Sequence, residues 1–118
     1  MIGVRAVIDE DGCLLSLSIG GHASSEAGRF GENAVCAAVT GIVRAGADAI
    51  SRRTTIRASG SAPAPGAFEL RVLERDATDS EWLRGVSDVV LTGVGRIAGD
   101  EPDEVELTIT RRGEVHGS

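Results

Sequence analysis

Aromatic residues make up only 3% of the 118-residue sequence, which contains no tyrosine and no lysine. Aromatic side chains form the stacking platforms on which many proteins bind single-stranded nucleic acid, so their scarcity argues against that function. The core must instead be built from valine, isoleucine, leucine and alanine. All twelve basic residues are arginine, a bias that we attribute to genome composition rather than to a mechanism.

Positively charged residues are also fewer than negatively charged ones. The twelve arginines stand against 18 acidic residues, which leaves a formal net charge of −6 at pH 7. A chain of this charge has no general affinity for nucleic-acid backbones or for anionic membranes. We therefore expect no nucleic acid among its partners. The negative charge either favours a basic partner or simply keeps the protein soluble.

The pattern of apolar and charged residues predicts neither a targeting segment nor a membrane-spanning segment. The first residues alternate between apolar and other types, and acids follow within ten positions, which is unlike a signal peptide. Every apolar run is interrupted by glycine, polar or charged residues before it reaches the roughly 20 residues of a membrane helix. We expect a cytoplasmic protein with no membrane partner, in which Cys13 and Cys36 are free thiols rather than a disulfide.

Signatures of metal, phosphate and dinucleotide binding are absent as well. Cys36 and His22 are not accompanied by a further cysteine or histidine pair at the spacing of zinc ligands, so we expect no zinc site. No phosphate-binding loop, dinucleotide fingerprint or Gly-x-Ser-x-Gly nucleophile elbow occurs. We expect neither a metal nor a cofactor.

Hydrophobic periodicity predicts five strands and two helices in the order ββαββαβ. The predicted strands are residues 2–8, 13–19, 53–59, 68–72 and 105–109, and the predicted helices are 34–50 and about 79–97. Thr78 or Asp79 is the expected cap of the second helix. This order predicts a single α+β domain over residues 1–112, built on a mostly antiparallel or mixed five-stranded sheet, with a flexible tail at 113–118.

The alternation within the strands favours a sheet with one face in water and both helices on the other face. Cys13, Leu15, Leu17 and Ile19 would then share the inner face of the second strand. Apolar residues at Val7, Leu14 and Leu73 do not fit that picture, so one helix on each face is the alternative. The first helix is apolar nearly all round, which favours partial burial by a second subunit and hence a homodimer.

Cys36 follows a glycine- and serine-rich segment and is a candidate nucleophile. With Asn33 as the N-cap, it would be the third residue of the first helix, where unpaired N–H groups and the helix dipole stabilise a thiolate. Those N–H groups, including that of Cys36, could also receive an oxyanion. The alternative interpretation is a core thiol on an apolar helix.

His22 is the candidate general base, because it follows Gly20 and Gly21 at the end of a strand and can face the start of the helix. The other histidine, His116, lies in the predicted tail. Asn33 or Glu26 could orient the imidazole, although each could equally be a cap or a solvated side chain. Other possible hydrogen-bond donors are Ser24, Ser25 and Thr40. Cys13 is interpreted as inert core.

The segments Gly21-His22-Ala23 and Val35-Cys36-Ala37-Ala38-Val39-Thr40, at this separation, resemble the ribosomal-processing cysteine protease family, Prp. The resemblance extends to the ββαββαβ order and the total length. It implies an endopeptidase that removes the N-terminal extension of a large-subunit ribosomal protein (number twenty-seven). It also implies a homodimer, with Cys36 as nucleophile and His22 as the catalytic histidine. A mobile substrate loop would correspond to Ser24–Glu32, with Gly21, Ser24, Ser25, Gly28 and Gly31 at or beside the peptide.

Two features depart from the family pattern. The family usually carries Gly-x-Asp before the cysteine, where this chain has Gly31-Glu32-Asn33, and the loop is longer. An asparagine can still hold the imidazole as a neutral acceptor, but it stabilises the imidazolium less than a carboxylate does. The alternatives are therefore a non-catalytic dimeric binding module that acts in ribosome assembly, or another thiol hydrolase that acts on small amides or esters.

Overall fold

The computed structural model describes residues 1–21, 30–63 and 67–113, with only the backbone at 30–33. The elements in chain order are β1 (Ile2–Ile8), β2 (Leu14–Gly20), α1 (Phe30–Ser51), β3 (Ile56–Ser61), β4 (Phe68–Arg75), α2 (Ser80–Asp100) and β5 (Val105–Arg111). A short 3-10 turn, Ala77–Asp79, precedes α2. The predicted ββαββαβ order is confirmed. Of the predicted tail, all but Gly113 lies outside the described residues.

The five strands form one mixed sheet in the order β3-β4-β2-β1-β5. β1 pairs with β2, β2 with β4 and β4 with β3 in antiparallel fashion, whereas β1 and β5 are parallel. The parallel pair requires a crossover, because β5 returns to the first strand after the whole of the second ββα unit. This mixed α+β sheet agrees with the predicted fold class.

Both helices lie on the same face of the sheet. A Cβ atom built on Gly46 of α1 would lie 2.5 Å from Cγ2 of Val90 in α2, and one built on Gly93 of α2 would lie 3.1 Å from Cδ1 of Ile42. Two helices on opposite faces of a sheet could not touch in this way. The favoured arrangement is therefore correct, and the alternative with one helix on each face is wrong.

The core lies between the two helices and the inner face of the sheet. Its buried apolar residues form a single cluster: Ile2, Val4, Ala6, Ile8, Cys13, Leu14, Leu17, Ile19, Val39, Val43, Ala47, Ile50, Ile56, Leu70, Leu83, Val90, Val94 and Val105. Alternate strand residues such as Arg5, Arg71 and Glu106 are exposed on the other face. The alternation noted in the sequence thus corresponds to one sheet face that is buried in the core and one that is exposed to solvent.

Two β-bulges account for Leu14 and Leu73, two of the three residues that did not fit the alternation. Val7 pairs with Ser16 but Ile8 pairs with Leu14, so Leu15 is the extra residue of β2. The bulge turns Leu14 into the core and leaves Leu15 only half-buried, so the predicted inner position of Leu15 is wrong. In the same way, the register of β3 and β4 skips Leu73, which is 50% exposed. A bulge reverses the side-chain alternation from that point onward.

Helix α1 is unusually apolar for a helix with solvent on one side. Among the described residues, one helical segment, Ala34–Ser51, is long and apolar enough to span a membrane by length and composition, with a mean hydropathy of 1.4. Core helices of globular proteins meet the same two criteria. Here Val39, Val43 and Ile50 are fully buried against the sheet, so one face of α1 belongs to the protein core.

The carboxylate of Asp79 holds the start of β3 against the start of α2. Its Oδ1 accepts hydrogen bonds from Arg53 Nη2 (2.9 Å) and Thr55 Oγ1 (2.8 Å), and its Oδ2 accepts one from the Asp76 N–H (3.3 Å). The Arg53 guanidinium also stacks 4.2 Å from the centroid of the Trp82 ring. Because Asp79 holds Arg53 and Thr55 in the turn, β3 begins at Ile56 rather than at the predicted Arg53.

Acid should weaken this contact in a predictable way. Burial would raise the pKa of Asp79, but the hydrogen bonds from Thr55 and Arg53 outweigh it and lower the pKa below that of an ordinary aspartate. A depressed carboxyl pKa contributes stability above the unfolded-state value of about 4, and this stability is lost as the pH falls through the folded-state value. We therefore expect Asp79→Asn to be less stable than the wild type at pH 7, with a smaller difference at pH 2–3.

Urea unfolding followed by Trp82 fluorescence at a series of pH values measures this difference. The matched control is Asp88→Asn, which neutralises an exposed carboxylate on α2 and should leave the pH dependence of stability close to that of the wild type. A constant gap between the Asp79→Asn variant and the wild type at every pH would contradict the assignment.

Candidate active site

The backbone conformation at the end of β2 requires glycine directly before His22. Gly21 has a φ of +85°, a region that other residues rarely adopt. A Cβ atom at this position would also overlap the carbonyl oxygen of Met1. The chain therefore leaves the sheet beside the start of β1 by a turn that only glycine can make. His22, Ser24, Ser25, Glu26 and Gly28 follow, and these predicted site residues lie outside the described part of the chain.

Helix α1 begins earlier than predicted. It starts at Phe30, so Gly31 and Asn33 belong to its first turn and Cys36 is its seventh residue. Asn33 is therefore not the N-cap, and Gly31, predicted as part of the substrate loop, lies within the helix. The prediction failed because glycine disfavours a helix by about 1 kcal/mol, a local preference that tertiary packing can override. The Asn33 side chain lies outside the described part of the chain.

The earlier helix start changes which groups could bind an oxyanion. Only the first four N–H groups of an α-helix lack a partner inside the helix. In α1 these groups belong to residues 30–33, whereas the N–H of Cys36 lies within the regular helix. The expectation that the Cys36 N–H receives the oxyanion is therefore wrong. Cα–Cβ bonds of a helix tilt towards its N-terminus, so the Cys36 side chain still points towards that first turn.

The Cys36 side chain lies at the boundary between core and solvent. It is half-buried and packs against the core cluster, while Ala37 and Ala38 beside it are exposed and Val39 is fully buried. Thr40, one turn later, is also half-buried and projects back towards the turn that carries Cys36. A thiol in this position is supported by the core on one side and accessible to a ligand on the other.

The sheet ends beneath this part of the helix. Phe68, the first residue of β4, pairs with Ile19 near the end of β2, and the guanidinium of Arg44 lies 5.1 Å from the Phe68 ring centroid. Cys36 precedes Arg44 by two turns, about 12 Å along the helix axis. Since α1 leads from this end of the sheet to the start of β3 at the other end, Cys36 lies in the part of α1 nearest the end of β2. This is the end at which Gly21 turns the chain towards His22.

The second cysteine has different surroundings. Cys13 is completely buried, and its thiol donates a hydrogen bond to the carbonyl oxygen of Ser80 at 3.3 Å. Burial raises the pKa of the Cys13 thiol, which keeps it protonated. Both cysteines are free, as predicted, and Cys13 has the properties of an inert core residue.

A polar cluster at the β1–β2 turn completes the surroundings of Cys13. Burial would raise the pKa of Asp9, but the N–H groups of Cys13 and Asp11 and the guanidinium of Arg75 lower it. The Arg75 Nη2 to Asp9 Oδ2 distance is 2.9 Å. The cluster holds the β1–β2 turn in place at the end of the sheet that lies next to the start of α2.

In residues 1–21, 30–63 and 67–113, no group of three or more histidine, cysteine or acidic side chains is placed to bind a metal.

Three solved structures are similar to this chain over nearly its whole length. The essential ribosomal processing protease Prp from S. aureus with a covalently linked product peptide is 21% identical, with a TM-score of 0.75, over 93% of this chain and 100% of that chain. Prp from S. aureus with a substrate peptide is 19% identical, with a TM-score of 0.74 and the same coverage. SMU.848 from Streptococcus mutans is 24% identical, with a TM-score of 0.75, over 95% and 96%.

At these identities the structural similarity establishes the fold, and the sequence establishes the family. A comparison with curated proteins finds no match. The family model described as cysteine protease Prp matches residues 1–106, nine-tenths of the chain, and this range contains both His22 and Cys36. The chain belongs to the Prp family of cysteine proteases.

Proposed function

We propose that this protein is a cytoplasmic cysteine endopeptidase that removes the N-terminal extension of a large-subunit ribosomal protein, number twenty-seven, during ribosome maturation. The observation that carries the proposal is the family match over residues 1–106, a range that includes the candidate nucleophile Cys36 and the candidate base His22. The peptide complexes of the S. aureus protease support a peptide substrate. The net charge of −6 suits a basic ribosomal protein.

In the proposed mechanism, His22 takes the proton from the Cys36 sulfur, and the thiolate attacks the carbonyl carbon of the scissile peptide bond. First-turn N–H groups of α1, from residues 30–33, donate to the oxyanion of the tetrahedral intermediate. The C–N bond then breaks, and His22 returns the proton to the leaving amine. Water, deprotonated by His22, attacks the thioester and releases the extension as a carboxylate.

The remaining candidate residues have supporting roles in this proposal. Asn33, or alternatively Glu26, accepts a hydrogen bond from the imidazole and orients it. Ser24, Ser25 and Gly28 lie between the base and α1 in the sequence, where they can contact the peptide. Gly21 supports the site through the turn that precedes His22. We also propose that the protein acts as a homodimer.

Incubation of the purified protein with the extended ribosomal precursor tests the proposal. Mass spectrometry should detect one cut that releases the extension, and Cys36→Ala should reduce the rate at least about 10³-fold, as expected when a nucleophile is removed. Cys13→Ser is the matched control, because it changes the other cysteine while preserving a hydrogen-bond donor for Ser80, and its cleavage rate should stay close to that of the wild type. Equal cleavage by the wild type and Cys36→Ala would refute the proposal.

A further inference from the structure

The solvent-exposed face of the sheet has a notch between the start of β1 and the end of β2. Its volume is about 400 Å³, and it is lined by Met1, Gly3, Arg5, Ser18, Ile19 and Gly20. Gly3 and Gly20 are paired directly across the two strands and alternate with buried residues, so both belong to the exposed face. Two neighbouring positions of that face therefore carry no side chain.

Nothing in the fold requires glycine at either position. Among the described residues, the positive φ angles belong to Gly12, Gly21 and Gly113. A Cβ atom on Gly20 would meet nothing within 4 Å, and one on Gly3 would lie at an ordinary contact distance of 3.9 Å from the Gly20 carbonyl oxygen. Glycine weakens the interior of a strand, and there it often marks a place where a ligand or another backbone approaches closely.

Arg5 supplies the notch with hydrogen-bond donors. It follows Gly3 on the same face of β1 and is paired with Ser18 of β2. Its side chain is exposed, and its guanidinium makes no hydrogen bond or ion pair within the described part of the chain. A guanidinium presents five N–H donors and no acceptor, so the notch suits a ligand that presents oxygen atoms.

The notch adjoins the candidate active site. Gly20 precedes His22 by two residues, and two residues of chain span at most about 7 Å. A peptide that reaches His22 is therefore within reach of the notch. An extended main chain presents a carbonyl oxygen at every residue, and glycine allows the close backbone approach that such a ligand needs.

We infer that an extended stretch of the precursor lies across this notch, with its main chain against Gly3 and Gly20 and its carbonyl oxygens accepting hydrogen bonds from Arg5. This inference rests on the proposed function and adds to it a binding subsite on the exposed face of the sheet. Since the contacts are with the main chain, the subsite holds the substrate without reading its side chains.

Filling the notch with a side chain tests the subsite. Gly3→Val should keep or raise the melting temperature, because β-branched residues favour strands. We expect its KM for precursor cleavage to rise at least about 10-fold and its kcat to change less than about twofold, the pattern of a lost binding contact. The matched control is Ser59→Val, which adds a valine to an exposed position of β3 and should leave KM unchanged. An unchanged KM in Gly3→Val would overturn the inference.

Removing the donor gives a second test. Arg5→Gln should raise KM about 3–10-fold, because the amide cannot replace the charge-assisted hydrogen bonds of a guanidinium. The matched control is Arg71→Gln, which makes the same change of charge at an exposed position of β4 and should stay within about twofold of the wild type. Equal increases in the two variants would show a general charge effect and would contradict the assignment of Arg5.

Alkylation of Cys36 by iodoacetamide shows whether Gly3→Val acts on binding or on the reacting pair. This reagent is too small to need the subsite, so we expect the alkylation rate of the Gly3→Val variant to match that of the wild type. A parallel fall in alkylation and cleavage would place the effect in the active site and would overturn the inference.

Direct binding separates the subsite from the protease proposal. Fluorescence anisotropy of a fluorescein-labelled precursor measures its dissociation constant for Cys36→Ala, which should rise at least about 10-fold when Gly3→Val is added. Weaker binding in that double variant, with no cleavage by the wild type, would support the subsite and refute the protease. Cleavage by the wild type with equal binding by the two variants would do the reverse, and a precursor that does not bind Cys36→Ala would also refute the subsite.

A second copy of the chain is the other occupant to test. Sedimentation velocity of the wild type and Gly3→Val should give the same association state at each protein concentration. Self-association that Gly3→Val abolishes would assign the notch to a second copy and would overturn the inference.

Discussion

Replacing His22 with alanine is expected to lower kcat/KM for cleavage of the extended precursor by about 10²–10⁴-fold, the usual contribution of a general base. Without the imidazole, the Cys36 proton has no acceptor and the leaving amine has no donor. The rate of alkylation of Cys36 by iodoacetamide at neutral pH should fall in parallel, because the imidazole also supports the thiolate. Steady-state kinetics and peptide mapping after alkylation measure the two effects.

The chain offers a matched control for this substitution in its other histidine. His116→Ala removes an imidazole from the last residues of the sequence, outside the family match over residues 1–106, and should leave both rates within about twofold of the wild type. Loss of activity in His116→Ala with retention in His22→Ala would reverse the assignment of the base. Unchanged alkylation in His22→Ala would show that the two residues do not interact.

The second large effect concerns the contact between the helices. Gly46→Ala places a methyl group 2.5 Å from Cγ2 of Val90, which is itself buried. Overpacking of a filled core costs about 1–3 kcal/mol, more than the roughly 1 kcal/mol by which alanine favours a helix over glycine. We expect the free energy of unfolding to fall by about 1–2 kcal/mol, as measured by urea unfolding at one fixed protein concentration.

Gly41→Ala is the control, because it makes the same substitution in the same helix at an exposed position. A Cβ atom on Gly41 would meet nothing within 4 Å, so only the helix preference remains and the stability should rise by about 0.5–1 kcal/mol. We therefore expect the two substitutions to change the free energy of unfolding in opposite directions. A stabilised Gly46→Ala variant would mean that α1 and α2 do not pack as closely as described.

Most of the architecture could be predicted from hydrophobic alternation. Period-two patterns identified the five strands because one face of the sheet is in water, and the exposed Arg5 and Arg71 mark that face. The inner face of β2 was wrong at one position, since a bulge adds Leu15 without any local signal in the sequence. Bulges depend on pairing between strands, which a single strand does not encode.

The sequence predicted which types of residue form the candidate site, but it did not predict where helix α1 begins. The order of Gly21, His22 and Cys36 was sufficient to identify the family, which the match over residues 1–106 confirms. The start of α1 at Phe30 was not predictable, because Gly31 argues locally against a helix. That error placed the unpaired N–H groups of the helix start at Cys36 instead of residues 30–33. Asp79 is the N-cap residue of α2, as expected, but its carboxylate makes no capping hydrogen bond to that helix and binds Arg53 and Thr55 instead, a contact between distant segments.

The most direct test of the account is to identify which sulfur reacts with a substrate-like electrophile. A peptide with the sequence of the ribosomal extension and a C-terminal chloromethyl ketone should form a thioether with loss of chloride. Tryptic mass spectrometry should find this adduct on Cys36 alone, and an excess of the extended precursor should slow its formation. Labelling of Cys13, or an unmodified Cys36 in a protein that still cleaves the precursor, would contradict the account.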